Sequence, residues 1–199
     1  IVGESGSGKS ITCRSLLRLV PYPAGKIVEG EILLEGKDLL QMSEDEMRKI
    51  RGGKISMILQ DPMTSLNPVF RIEKQLTEGI SIHTPLKKKA IWERACELMK
   101  LVRIPDQGMR LKDFPHQLSG GMRQRVVGAI ALSSEPKLLI ADEPTTSLDT
   151  TIQAQFLNLL LGLQKQFGLS MIVVSHDFGV VARVCNEVAV MYAGKIVEK

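Results

Sequence analysis

Aromatic residues are scarce in this chain, at 4% of 199 positions. That argues against the stacked-base platforms on which single-stranded nucleic acid is held. Cysteine is scarce too. Cys13, Cys96 and Cys185 are odd in number and far apart, with no C-x-x-C and no Cys/His ligand spacing. A disulfide framework and a zinc module are therefore both excluded, and the three read as free thiols in a reducing compartment. Long hydrophobic runs are missing, so no segment approaches the ~20 residues of a bilayer-spanning helix. No stretch reads as a signal peptide. Any membrane role would run through a partner. Nor does charge of one sign dominate: 26 Lys and Arg face 22 Asp and Glu, for a net +4. The one dense basic run, Lys87-Lys88-Lys89, reads as a solvated helix face, and no nucleic-acid partner is expected.

What remains is ordinary globular composition, 44% apolar and 24% charged, enough for one domain or one domain with an inserted lobe. Ile1-Val2 runs straight into a glycine loop with no room for a full strand before it, so the chain reads as a piece of a longer protein. A helix is expected from Ser10 to about Val20, stopped by Pro21 and Pro23. Glu31–Glu35 reads as a short strand. Ser43 and Glu46 have capping-box spacing, which opens a helix to about Ile50. Ile55–Leu59 reads as a buried strand. From about 67 to 117 helical periodicity dominates, as in Leu86–Leu101, and this stretch is expected to be a helical insert. A Ser-Gly-Gly turn, a helix over Met122–Leu132, a strand over Lys137–Ala141 and a helix over Thr150–Phe167 follow. Gly168 suits the last helix as its cap. Met171–Val174 and Val188–Tyr192 read as strands, and the residues just before Lys199 are strand-like. Strands alternating with helices predict an α/β fold whose mainly parallel sheet is covered on both faces.

Gly3-Glu4-Ser5-Gly6-Ser7-Gly8-Lys9-Ser10 fits the phosphate-cradling pattern G-x-x-x-x-G-K-[ST] at a strand-to-helix junction. Glycines let the backbone turn so that N–H groups converge on an anion. The helix start adds free N–H groups and a positive dipole end. Lys9 supplies a point charge for the terminal phosphates, and the Ser10 hydroxyl is positioned for Mg²⁺. These eight residues and Ile11 are the nucleotide-binding candidates. A second motif, Lys137–Glu143, is an apolar strand ending in two carboxylates. Parallel strands present their carboxyl ends to a ligand crevice, so Asp142 is a candidate metal ligand and Glu143 a candidate base for an attacking water.

Leu118-Ser119-Gly120-Gly121-Met122-Arg123-Gln124-Arg125 resembles the signature loop of ABC ATPases. The resemblance covers essentially the whole chain. It implies a P-loop NTPase core, over 1–66 and 118–199, with a mainly parallel sheet, a small antiparallel β portion and an inserted helical subdomain over about 67–117. It implies that Leu118–Met122 grip the ATP of an opposing subunit. Gln60 resembles the loop glutamine that reaches Mg²⁺ and the water. Ser147-Leu148-Asp149 resembles the loop crossing the dimer interface, and His176 the switch histidine at the γ-phosphate. The stretches Ile55–Pro68, Pro115–Arg125 and Ala141–Thr146 are similar to those of oligopeptide and dipeptide importers, a subgroup that includes nickel and glutathione importers.

For such a protein the resemblance implies ATP hydrolysis with Mg²⁺, a second ATPase subunit that is identical or paralogous, two membrane permease subunits, and an extracytoplasmic solute-binding protein acting indirectly. Its seat would be the cytoplasmic face of a bacterial or archaeal membrane. Two departures stand beside this. The family's adenine-stacking aromatic precedes the glycine loop and would lie before residue 1, and the subgroup's C-terminal extension would follow residue 199. Ser175 before His176 replaces a threonine common in the subgroup. Two other readings remain: a soluble ABC ATPase of DNA repair, chromosome organisation or translation, and a nucleotide-binding remnant without turnover. The first would bring heptads or zinc ligands, and neither is present. The second would be told apart by an ATPase assay.

Overall fold

The computed structural model describes residues 1–146 and 148–199, and the backbone alone of Pro62 and Met63. Three parallel strands form its centre, β3 (Ile55–Ile58), β4 (Leu138–Asp142) and β5 (Ser170–Val174), in the order β3-β4-β5. Ile58 pairs with Ala141, Ala141 with Val173, and Asp142 with Val174. Val2 extends this sheet through single parallel bridges to Ser175 and Val190. Val190 opens β6 (Val190–Tyr192), which pairs antiparallel with β7 (Lys195–Glu198). A separate hairpin joins β1 (Leu33–Leu34) to β2 (Lys37–Asp38).

β4 is an apolar run because both its faces are covered. On one face Leu139 joins a large cluster with Ile58, Val126, Phe156 and Leu160. On the other Ile140 joins Cys13, Leu17, Met47, Ile55 and Val174. The second face is covered by α1 (Lys9–Leu16) and α2 (Glu44–Ile50). The first is covered by α7 (Gly120–Ala131) and α8 (Thr150–Phe167). Between β3 and β4 also run α3 (Pro62–Ser65), α4 (Ile72–His83), α5 (Lys88–Leu101) and α6 (Gln107–Arg110). Leu76, Ile80, Leu98 and Met99 of this stretch are fully buried and share the α7–α8 cluster, so the helical stretch is welded to the sheet layer by common apolar contacts.

Several expected boundaries move. The first helix ends at Leu16, not near Val20. Arg18 turns left-handed at φ 52, and its guanidinium donates to the Leu39 and Met42 carbonyls, which draws the chain off the helix axis. The strand expected over 31–35 shrinks to two residues, because Ile32 N donates to the Asp38 carboxylate and not to a strand partner. Glu35 (φ 53) and Gly36 (φ 77) form the tight turn that closes this hairpin. An unforeseen helix, α9 (Phe178–Val184), follows β5. Its Phe-Gly-Val-Val-Ala-Arg-Val sequence has strand-like content, and the Asp177 side chain decides the matter by accepting from Gly179 N and Val180 N. The capping box of Ser43 and Glu46 and the left-handed Gly168 cap (φ 62) lie where expected. Among the described residues no helix is long and apolar enough to cross a membrane.

Candidate functional site

The strand register brings the site together. β3, β4, β5 and the Val2 segment run parallel, so their carboxyl ends share one edge. From that edge emerge Gln60, Asp142 with Glu143, His176, and the glycine loop. Four motifs far apart in sequence thus meet because three strands and the bridged Val2 segment stop level with one another.

In the glycine loop, Gly6 (φ 81) and Gly8 (φ 103) occupy left-handed backbone, with Gly8 as the N-cap of α1. A side chain at either would be strained there. Lys9 is buried, and its Nζ curls back over the loop to donate to Gly3 O (2.8 Å) and Glu4 O (2.7 Å). Its stem is thereby fixed and its charge held at the mouth of the loop. Ser10 Oγ donates to Asp142 Oδ1 at 2.8 Å, joining the loop to the end of β4. Asp142 is buried, and burial pushes its carboxyl above the ordinary value; the Ser10 bond pulls the other way. Ile11, one residue on, is exposed.

Glu143 sits at φ 45, a conformation that costs a non-glycine residue ~1–3 kcal/mol and is retained where function demands it. Its amide donates to Val174 O, tying the turn to β5. The carboxylate is crowded by three groups. Gln60 Nε2 donates to Oε2 at 3.0 Å, Thr146 Oγ1 donates to the same oxygen at 2.9 Å, and His176 Nδ1 lies 3.2 Å from Oε1. The side chain of His176 is half exposed and that of Glu143 nearly covered. His176 is aimed by its neighbours, since Ser175 Oγ accepts from Asp177 N and Asp177 caps α9. Gln60, Glu143 and His176 were expected from sequence. Thr146 was not, although it closes the quoted stretch Ala141–Thr146.

The signature turn stands apart from this cluster. Ser119 is exposed and caps α7, its Oγ accepting from Met122 N at 3.3 Å. Gly120, Gly121 and Met122 are half buried, and Leu118 is buried beneath them. The turn therefore presents a helix N-terminus outward, suited to an anion on another molecule. Arg123 braces it from behind by donating to Leu118 O. Of the expected interface loop, Ser147 lies outside the described residues. Leu148 packs against the large cluster, and Asp149 caps α8 by accepting from Ile152 N.

The family description "ABC transporter" matches residues 1–146. The chain belongs to the ABC transporter family. Among its relatives, the oligopeptide transport ATP-binding protein OppD of Bacillus subtilis is 58% identical over all of this chain and 55% of its own length. The dipeptide transport ATP-binding protein DppD of the same organism is 54% identical, again over the whole chain and 59% of its own length. A probable peptide ABC transporter ATP-binding protein of Sinorhizobium fredii is 52% identical over the whole chain and 59% of its own length. This ABC chain thus spans little more than half of the curated relatives it matches. Its fold is that of the ATP-binding cassette MJ0796, in a dimeric post-hydrolysis state bound to ADP and Pi, with a TM-score of 0.84. The two are 29% identical, and the match covers 99% of this chain and 82% of the other. A cbiO1 protein of Clostridium perfringens, part of an ABC transporter complex, matches with a TM-score of 0.83 at 30% identity, over 99% of this chain and 74% of the other.

Proposed function

We propose that this chain is the ATP-binding and ATP-hydrolysing part of an importer for peptides or a related small solute. The observation that carries the reading is the shared strand edge, where the Lys9 loop, the Ser10–Asp142 pair and the Gln60–Glu143–His176 cluster adjoin one another. The names of its relatives, oligopeptide and dipeptide transport ATP-binding proteins, support the class of cargo.

ATP lies with its phosphates on Gly3–Ser10. Glu143 accepts a proton from the attacking water, and Gln60 and Thr146 hold the carboxylate in line for that transfer. His176 donates to the γ-phosphate. A second ATPase subunit supplies Ser119–Gly121 across the interface, with Ser147–Asp149 at the seam, and closure expels bulk water from the phosphates. Residues 67–117 form the lobe that meets the permease pair, at the cytoplasmic face of the membrane. This lobe carries an open groove of 1320 Å³ lined by Phe70, Lys74, Trp92 and Phe114 among others, and its exposed apolar rim, Val69 and Phe70, suits a protein partner.

Magnesium fits the residues present. Ser10 and Asp142 supply hard oxygen donors, and no group of three or more His, Cys, Asp or Glu among the described residues forms a metal cage of its own. That is the donor set of a cation which keeps its waters and binds mainly through substrate phosphates. Gln60 could add only its Oε1, since its amide nitrogen serves Glu143. When bound, the ion would neutralise phosphate charge.

The raised Asp142 carboxyl has a measurable consequence. A folded-state value above the unfolded one lends stability at acid pH, below the unfolded value, and that stability is lost as pH rises through the folded value. At neutral pH the ionised carboxylate is a cost to the ligand-free fold. Asp142→Asn still accepts from Ser10, so its ligand-free melting temperature is expected to equal or exceed that of the wild type. The added stabilisation by magnesium and ATP is expected to vanish. A lower ligand-free melting temperature would contradict this account.

The reading as a whole is tested with the full-length protein reconstituted with its permease pair in vesicles. Magnesium-dependent ATP hydrolysis stimulated by the permease and its solute is expected. Hydrolysis stimulated by DNA, with no binding to a permease, would overturn it in favour of a soluble ATPase. No hydrolysis at all would favour a nucleotide-binding remnant.

A further inference from the structure

Gln124 is fully buried in α7, about a turn and a half beyond the Ser119 cap. Its Nε2 donates to the carbonyl of Pro144 at 2.7 Å, while its Oε1 is buried with no partner among the described residues. Leaving a buried acceptor unmade costs ~1–3 kcal/mol. For stability alone an apolar side chain of this length would serve as well. The bond it does make falls on the carbonyl of the residue that follows Glu143, whose left-handed backbone sets where the carboxylate stands. A second contact ties α7 to the start of α8: a Cβ on Gly121 would lie 2.8 Å from Ile152 Cγ2, so the first turn of α7 rests directly on the first turn of α8. The stretch between Glu143 and Ile152 is thus gripped by α7 near both its ends.

We infer that Gln124 is a positioning residue that makes the signature turn and the Glu143 turn of one subunit move as a unit. The inference rests on the proposed function, in which these two turns serve different ATP molecules. The signature turn then senses the partner's nucleotide, and Gln124 passes its position to the subunit's own Glu143. Hydrolysis at one site becomes dependent on occupancy of the other, through a rigid element with one hydrogen bond at the joint.

The test uses the full-length protein in its assembled transporter, with hydrolysis followed against ATP concentration. Gln124→Met keeps the length and apolar stem and removes the donor. Gln124→Asn keeps the amide but is one methylene short, and it carries the test should the first variant fold poorly. Either variant is expected to lose cooperativity, its Hill coefficient falling to one. Its kcat is expected to fall ~3- to 10-fold, the worth of one hydrogen bond, with ATP affinity near the wild type; the melting temperature stays near the wild type for Gln124→Met, which trades one unmade acceptor for another, and falls for Gln124→Asn, whose amide is left unpaired. Unchanged kcat and cooperativity overturn the inference. So does a fall in melting temperature with activity lost only in proportion to the folded fraction, for that marks a packing role. A wild type that hydrolyses ATP without cooperativity overturns the inference and leaves the proposed function standing. A wild type with no hydrolysis overturns both.

Discussion

Glu143→Gln is expected to slow ATP hydrolysis ~10²–10⁴-fold, the range for losing a general base, while ATP binding persists. On the barrier this is ~3–5 kcal/mol. The surroundings of Glu143 make the substitution clean. One oxygen accepts from Gln60 and Thr146, and the other faces His176 Nδ1. A glutamine can turn its carbonyl to the two donors and its amide to the imidazole, so the packing survives and only the basic carboxylate is lost. The left-handed backbone at this position is unchanged in demand, since glutamine and glutamate differ only at the tip. Phosphate release at saturating ATP, measured beside nucleotide affinity, separates the two effects. A rate within a few-fold of the wild type would remove Glu143 as the base. A variant that no longer binds ATP would mean that the carboxylate holds the substrate and does not act on the water.

How far the sequence could be read follows the range of the forces involved. Elements set by local pattern were legible: the α2 capping box, the α8 run to its Gly168 cap, and the buried strands β3 and β4. Glycines at fixed spacing announced the Gly3–Ser10 loop, because the left-handed backbone at Gly6 and Gly8 needs that residue type. What escaped was decided by contacts between distant residues. The early end of α1 depends on Arg18 reaching the carbonyls of Leu39 and Met42, more than twenty positions away. The α9 helix depends on one aspartate overriding strand-like content. The Thr146 hydroxyl on Glu143 and the Gln124 amide on Pro144 lay inside motifs already singled out, but nothing in a linear pattern says which way such side chains face. The mutual placement of Gln60, Glu143 and His176 was expected only by resemblance. It is explained by strands that end at one level.

A mixing experiment gives the second large effect, and it tests whether the Ser119 turn serves its own ATP or a partner's. Lys9→Met removes the charge that is curled over the loop. Losing a charged hydrogen-bond donor costs ~1.5–3 kcal/mol, or roughly 10–150-fold in ATP binding. Ser119→Arg fills the exposed helix start with a bulky side chain and removes its cap, which costs the helix only ~1 kcal/mol. Losing the donors of this turn is expected to lower kcat ~10²–10³-fold, as for other preorganised anion holes. Each variant paired with itself is then nearly inactive, since every site carries a defect. Where the two variants pair with each other, the arithmetic changes. One site combines the mutant loop of the first with the mutant turn of the second. The other combines two intact halves. Mixing is therefore expected to raise activity well above either variant alone, short of a normal working site by the ~3- to 10-fold that an empty second site costs. A turn that served its own subunit would leave both sites of the mixed pair damaged, and no recovery would follow. The exposure of Ser119, outside the cluster that holds Glu143 in the same chain, is the physical reason to expect recovery.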